Sequence, residues 1–224
     1  MRKRSGPTQN FPDYTDLIEK YGPPLRRTLV LRRPKSPDSR FSYPFNRKRP
    51  GEIVLVIPRP PRAVLVHTKS FYPPDLFRLP TGGLKGGEEL SVAIHRELHE
   101  ETGFKLGILQ FLFHLEVRMI ESTRQRRFHS FGFLLEPTSA APSIQDTDER
   151  ITGFNDLPLE ELKGMAHRLR RLPSPWSLWG RFRAKPHIMT LRTLEEREAM
   201  KKPIWILPSH DPGSERPSEG SRES

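Results

Sequence analysis

The stretch RELHEETGF, residues 96–104, places Glu97, Glu100 and Glu101 together beside a single base, Arg96. Exposed helices ordinarily mix acids with bases, so this is either a solvated acidic face or a site. On a helical wheel Leu90, Ile94, Glu97 and Glu101 fall within roughly a 60° arc, with Glu100 at its edge. The carboxylates therefore continue the row of a core-facing apolar stripe, where they cannot simply be solvated. Like charges this close need compensation. One or more hard divalent cations would supply it, and oxygen donors in a chain without cysteine point to magnesium or manganese over zinc.

Magnesium held by a few carboxylates is usually completed by substrate phosphates and water. Just upstream, TGGLKGGEE (81–89) lets backbone come close to the start of the helix. Free N–H groups and the helix dipole favour anions there. Metal and phosphate would meet at one place.

Residues 82–104, GGLKGGEELSVAIHRELHEETGF, resemble the Nudix box, Gx5Ex7REUxEExGU with U aliphatic or aromatic. Gly82, Glu88, Arg96, Glu97, Leu98, Glu100, Glu101, Gly103 and Phe104 stand at every specified position. More loosely, the likeness extends over about residues 50–172. It implies an α/β fold, a Nudix-type α/β/α sandwich with a mixed β-sheet between helices. It also implies a magnesium-dependent hydrolase that cleaves the pyrophosphate of a nucleoside diphosphate linked to another moiety. Glu97, Glu100 and Glu101 would ligate the metal, with Gly82 adding a backbone oxygen. Arg96 would orient the carboxylates, and Glu88 would brace the loop. A water activated by metal and a carboxylate would attack phosphorus. The general base is drawn from the box or from a later loop: Glu101 is the candidate in the first, Glu149, with Asp146 and Asp148 behind it, in the second.

Several residues have structural readings beside functional ones. Phe71, Tyr72, Phe77 and Arg78 precede the box where a substrate base could stack, and core packing suits Phe77 at least as well. His95 and His99 occupy variable box positions and are expected to be exposed; His114 and His129 alternate with apolar residues in strands, where either could point into the substrate cleft or outward, and outward is favoured. Around Met119–Glu121 the proline of ADP-ribose-specific family members and the tyrosine of those acting on dinucleoside polyphosphates are both missing. The substrate stays open.

These residues need a scaffold. EIVLVIPR (52–59) and RAVLVHTK (62–69) read as neighbouring strands joined by a Pro-Pro turn. TLVLRR (28–33), 108–120, 126–137 and 149–157 read as further strands, and YTDLIEKYG (14–22) as a short helix. The box helix starts near Glu88 and is capped by Gly103. A helix covers 158–172, another lies toward the end of 175–202, and Trp176, Trp179, Phe182, Arg183 and His187 share a packed face. The 224 residues suit one globular unit, expected as an arm at 1–26, partly flexible, a hydrolase domain at 27–202 and a disordered tail at 203–224.

The net charge of +11 suits a polyanionic partner. Much of the excess lies on scattered or terminal arginines, so a nucleotide-like small molecule is favoured. The alternatives are action on the 5′ end of RNA, helped by the basic stretch 32–50, or a module that binds a nucleotide or nucleic acid without turnover. No apolar run is long enough for a membrane span, and no apolar segment follows the basic N-terminus, which fits a cytoplasmic protein. The resemblance also allows a homodimer.

Overall fold

The computed structural model describes residues 14–32, 49, 51–121 and 124–207. In order these form α1 (Thr15–Tyr21), β1 (Leu25–Arg32), β2 (Gly51–Val56), β3 (Pro58–Arg59), β4 (Ala63–Lys69), β5 (Thr81–Gly83) and α2 (Leu90–Thr102). There follow β6 (Ile108–Glu121), β7 (Arg124–Leu135), β8 (Ile151–Pro158), α3 (Leu162–Arg170) and α4 (Ser177–Ala199). Strands β1–β6–β7–β2–β5 make a mixed sheet, parallel at β1/β6 and β2/β7 and antiparallel at β6/β7 and β2/β5. A smaller antiparallel sheet runs β3–β4–β8.

β2 is buried along its whole length, and its neighbours say why. Ile53 and Leu55 join Phe111, Phe131 and Phe133 under Leu90, Ala93, Ile94 and Leu98 of α2. Val54 and Val56 face the opposite side with Leu115, Val117 and Met119, beneath Leu162, Met165 and Leu169 of α3 and Phe182 and Leu194 of α4. A strand covered on both faces reads as an unbroken aliphatic run. Each such side chain contributes ~1.5–3 kcal/mol of burial.

Residues 52–59 are not one strand hairpinned to 62–69, as the sequence suggests. Only Pro58 and Arg59 pair with β4, at Val64 and Ala63, while 51–56 belong to the large sheet. Double-sided burial draws 51–56 between the helix layers, and Pro58, lacking an N–H, cannot extend an interior ladder. The C-terminal helix is also longer than expected. It runs through Pro186, because the apolar face formed by Leu178, Trp179, Phe182, Met189 and Leu194 offsets the ~3 kcal/mol of an interior proline.

The short helix at 15–21 forms as expected, yet it is no free arm. Tyr14 sets its ring edge-on to Phe111 and Phe131, 5.8 and 5.7 Å away, and Leu17 and Ile18 pack on the same cluster. Residues 1–13 of the expected arm, 33–48 and 50 of the basic stretch, and 208–224 of the expected tail lie outside the described residues. Among those described, no helix is long and apolar enough to cross a membrane.

Candidate active site

The box forms the turn from β5 into α2. Gly103 ends α2 in the left-handed region, at φ 73°, and a Cβ there would collide with Ser143. That close approach lets the loop after β7 cap the helix: Ser143 N–H donates to the Thr102 carbonyl (2.8 Å), and the N–H groups of Gln145 and Asp146 to that of Glu100 (3.1 Å each). A single 3-10 turn, Thr147–Glu149, follows, with Asp146 accepting from the Asp148 N–H. Arg59 pins the same loop through the carbonyls of Thr138 and Ala140, at 2.7 and 2.8 Å, and also donates to Asp156 of β8. Glu149 is thereby delivered to the face of α2.

Glu97 and Glu101 are 3% and 0% exposed, in line with the stripe of Leu90, Ile94 and Leu98. Arg96 gathers the remaining acids. Its Nε and Nη2 fork onto Glu88 (2.7 and 2.8 Å), and its Nη1 donates to Glu97 Oε1 (2.7 Å) and Glu100 Oε2 (2.9 Å). Nη2 also reaches the Gly83 carbonyl at 3.1 Å. Glu88 accepts the Lys85 N–H as well, bracing the loop. The fork from Arg96 holds Glu88 below the usual carboxylate range, whereas burial raises Glu97.

A second cation comes from β4. A bulge between Thr68 and Lys69 shifts the register with β8, and bulges re-aim side chains. Lys69 donates from Nζ to Glu101 Oε1 at 3.0 Å and to Glu149 Oε2. Burial raises the Glu101 carboxyl to about 7 despite the opposing fields of Lys69 and Arg78. Burial works against the Lys69 ammonium, but Glu101, Tyr72 and Glu149 together outweigh it and leave Lys69 above its ordinary value. His67, fully buried, sets Nδ1 3.8 Å from Glu101 Oε2, and burial keeps it neutral at ordinary pH.

Two carboxylate oxygens at this point, Glu97 Oε2 and Glu101 Oε2, are buried with no hydrogen-bond partner. An orphaned charged acceptor is expensive, so both suit a cation. Gly82 opens the space beside Glu97, since a Cβ there would overlap its carboxylate. These are oxygen donors of the kind that suit magnesium. Among the described residues no three His, Asp or Glu side chains already converge as a ready cluster; Arg96 and Lys69 hold the other oxygens of Glu97 and Glu101.

The match of the NUDIX domain family model to residues 47–179 spans more than half of the chain. The chain belongs to the Nudix hydrolase family. No curated protein matches it. Among solved structures it is similar to the MutT protein of Methanosarcina mazei Go1, with 17% identity, TM-score 0.47, and coverage of 68% of this chain and 99% of that one. The dihydroneopterin triphosphate pyrophosphohydrolase of E. coli gives 20%, 0.44, 65% and 97%. An Ap4A hydrolase of C. elegans gives 18%, 0.43, 67% and 98%. These likenesses are loose, and membership of the Nudix family rests on the domain match.

Around this Nudix site the other sequence candidates divide. Phe71 is 47% exposed and sits edge-on to Tyr72, 4.9 Å between ring centroids. Tyr72 is buried against Trp179, 5.2 Å between ring centroids. Arg78 is buried too, its donors committed to Tyr72 (2.5 Å), the Leu79 carbonyl (3.0 Å) and Thr81 (2.6 Å). It shapes the loop entering the box. His95 and His99 are exposed as expected. His114 and His129 do not face outward: they stack on each other, Nε2 to Nδ1 2.8 Å, beneath Tyr14, whose hydroxyl lies 3.1 Å from His114 Nδ1. The packing of α1 over β6 covers them.

Lys69, His67, Arg183 and His187 escape sequence reasoning as site-building residues. Arg183 meets Glu52 in a buried pair, Nη1 to both carboxylate oxygens at 2.8 and 2.7 Å, with Ser130 on the same carboxylate. His187 accepts the Leu79 N–H on Nε2 (3.2 Å) and donates from Nδ1 to the Arg183 carbonyl, tying α4 to the loop before the box. A usable signal existed for Lys69 alone: a cation ending the apolar run AVLVHTK. For the others, long-range packing decides.

Proposed function

We propose that this Nudix domain hydrolyses a phosphoanhydride bond in a nucleoside diphosphate-linked substrate with the help of magnesium, for which manganese can substitute. The observation that carries the reading is the pair of buried, partnerless oxygens, Glu97 Oε2, which lies beside Gly82, and Glu101 Oε2 one helical turn on. Glu97, Glu100, Glu101 and the Gly82 carbonyl would hold the ion. Bound there, a divalent cation supplies charge neutralisation for the phosphates and the departing oxygen. Arg96 positions Glu97 and Glu100 while bracing the loop through Glu88. Glu149, whose side chain is 29% exposed where that of Glu101 is 0%, reaches solvent. It accepts the proton of the attacking water as the new P–O bond forms and the bridging P–O bond breaks. Phe71 offers a face for the base. The catalytic domain would span 27–202.

A panel of nucleotide-linked diphosphates, assayed for phosphate-bearing products with and without magnesium, tests this. Magnesium-dependent release of a nucleoside monophosphate is the expected result; turnover indifferent to the ion would contradict it.

A second reading, action on the 5′ end of RNA, has support in Arg26, Arg32, Arg118 and Arg127. The strand registers put them on one face of β1, β6 and β7, the face whose His114 end α1 covers, with Arg26 over the Tyr14 ring. A steep loss of RNA affinity with salt would favour it.

A further inference from the structure

The site's two cations hold their acids in different ways. Arg96 engages Glu97 through Oε1 and leaves Oε2 bare, so an ion can arrive while the guanidinium stays. Lys69 lies between Glu101 and Glu149, from different elements, and touches both. It is 6% exposed, and these two carboxylates are its hydrogen-bond partners. The ammonium is thus placed where a positive charge between two buried acids is required.

We propose that Lys69 is a displaceable internal cation: its ammonium holds Glu101 and Glu149 together until a divalent ion takes Glu101, and this exchange sets how tightly the ion binds. The inference rests on the reading that Glu101 ligates the ion. Three features favour exchange over coexistence. The local charge is already balanced: two carboxylates face Lys69, with the Arg78 guanidinium also near enough to act on Glu101, so a further double charge beside an ammonium is strongly repelled in a poorly screened place. Arg78 is fastened by three hydrogen bonds and cannot yield. Lysine, a compact charge on a flexible four-carbon stem, can. Its departure also uncovers Glu149 Oε2, so that the proton acceptor becomes available when the ion is in place. Linkage makes the competition reciprocal: whatever the ion loses to the ammonium, the ammonium loses to the ion.

Direct titration of Mn2+ by electron paramagnetic resonance, at one pH and without substrate, tests this on the full-length wild type, Lys69→Met and Lys69→Arg. Lys69→Met keeps the apolar stem and removes the charge. It should bind Mn2+ about tenfold more tightly than wild type, melt at a lower temperature without the ion and recover more on adding it. Lys69→Arg, which keeps the charge but yields less readily, should bind Mn2+ no more tightly than wild type. Equal or weaker Mn2+ binding by Lys69→Met overturns the proposal while leaving the metal site standing; no Mn2+ binding by any of the three overturns the metal reading and this inference with it. Should Lys69→Met not fold, amine labelling of wild type followed by mass spectrometry decides. Modification of Lys69 should rise severalfold with Mg2+, and unchanged labelling in the ion's presence overturns the proposal.

Discussion

Arg96 and Lys69 divide the acids of one small site between them, and they do so by opposite routes. Arg96 collects Glu88, Glu97 and Glu100, all within the same loop and helix. Its planar fork can serve several oxygens at once and holds them in a fixed pattern. Lys69 collects Glu101 from α2 and Glu149 from the turn before β8, so its contacts exist only when three distant segments have folded together. The first cluster is a local device that shapes the ligands. The second is a tertiary device that balances charge in the interior.

Substitutions can break that division. The largest effect is expected at the oxygens that neither cation satisfies. Glu97→Gln or Glu101→Gln should lower kcat by about 10³-fold, roughly 4 kcal/mol of barrier, with the circular dichroism spectrum unchanged; normal turnover by either variant would remove that residue from the assigned role. Glu149→Gln comes next, at about 10²-fold in kcat with little change in KM, the mark of a lost proton acceptor. Retained kcat would shift that task to Glu101. Arg96→Lys keeps the charge and loses the fork, so a fall of ~10-fold or more in activity should come with weaker ion binding. If lysine serves as well as arginine, geometry is not what Arg96 contributes.

The smallest effect lies outside both clusters and serves as their control. Burial lowers His129 and His187 to about 4. The unfolded chain therefore takes up protons that the folded chain refuses. Their stabilisation is full above the ordinary imidazole value near 6.5 and is lost as pH falls from there toward 4. Urea midpoints measured at pH 7 and pH 5 should show the decline, and His187→Gln should reduce it.

The same contrast explains what the sequence made legible. Arg96, Glu97, Glu100 and Glu101 lie on one helix at spacings that a wheel can display, and the Gly103 cap lies at its end; local geometry alone sets their relations. β2 announces itself by the double-sided burial of IVLVI, though not that the following Pro58 and Arg59 leave for the other sheet. Lys69, His67, Arg183 and His187 could not be placed as site-building residues, since their partners lie 32 to 131 residues away along the chain in the cases of the Lys69–Glu101 and Arg183–Glu52 bonds. Arg78 and Tyr72 have residue types suited to ligand contact, yet packing by α4 turned them inward. His114 and His129 alternate with apolar residues as exposed positions do, but α1 covers them.

Glu97 Oε2 and Glu101 Oε2 have no hydrogen-bond partner in the fold, and a divalent ion would satisfy both. Mn2+ titration of wild type beside Glu97→Gln and Glu101→Gln, with magnesium as competitor, asks this most directly. Wild type should bind Mn2+ at a site that magnesium empties and that each substitution weakens at least about tenfold; equal Mn2+ binding by all three proteins would place the ion elsewhere or nowhere.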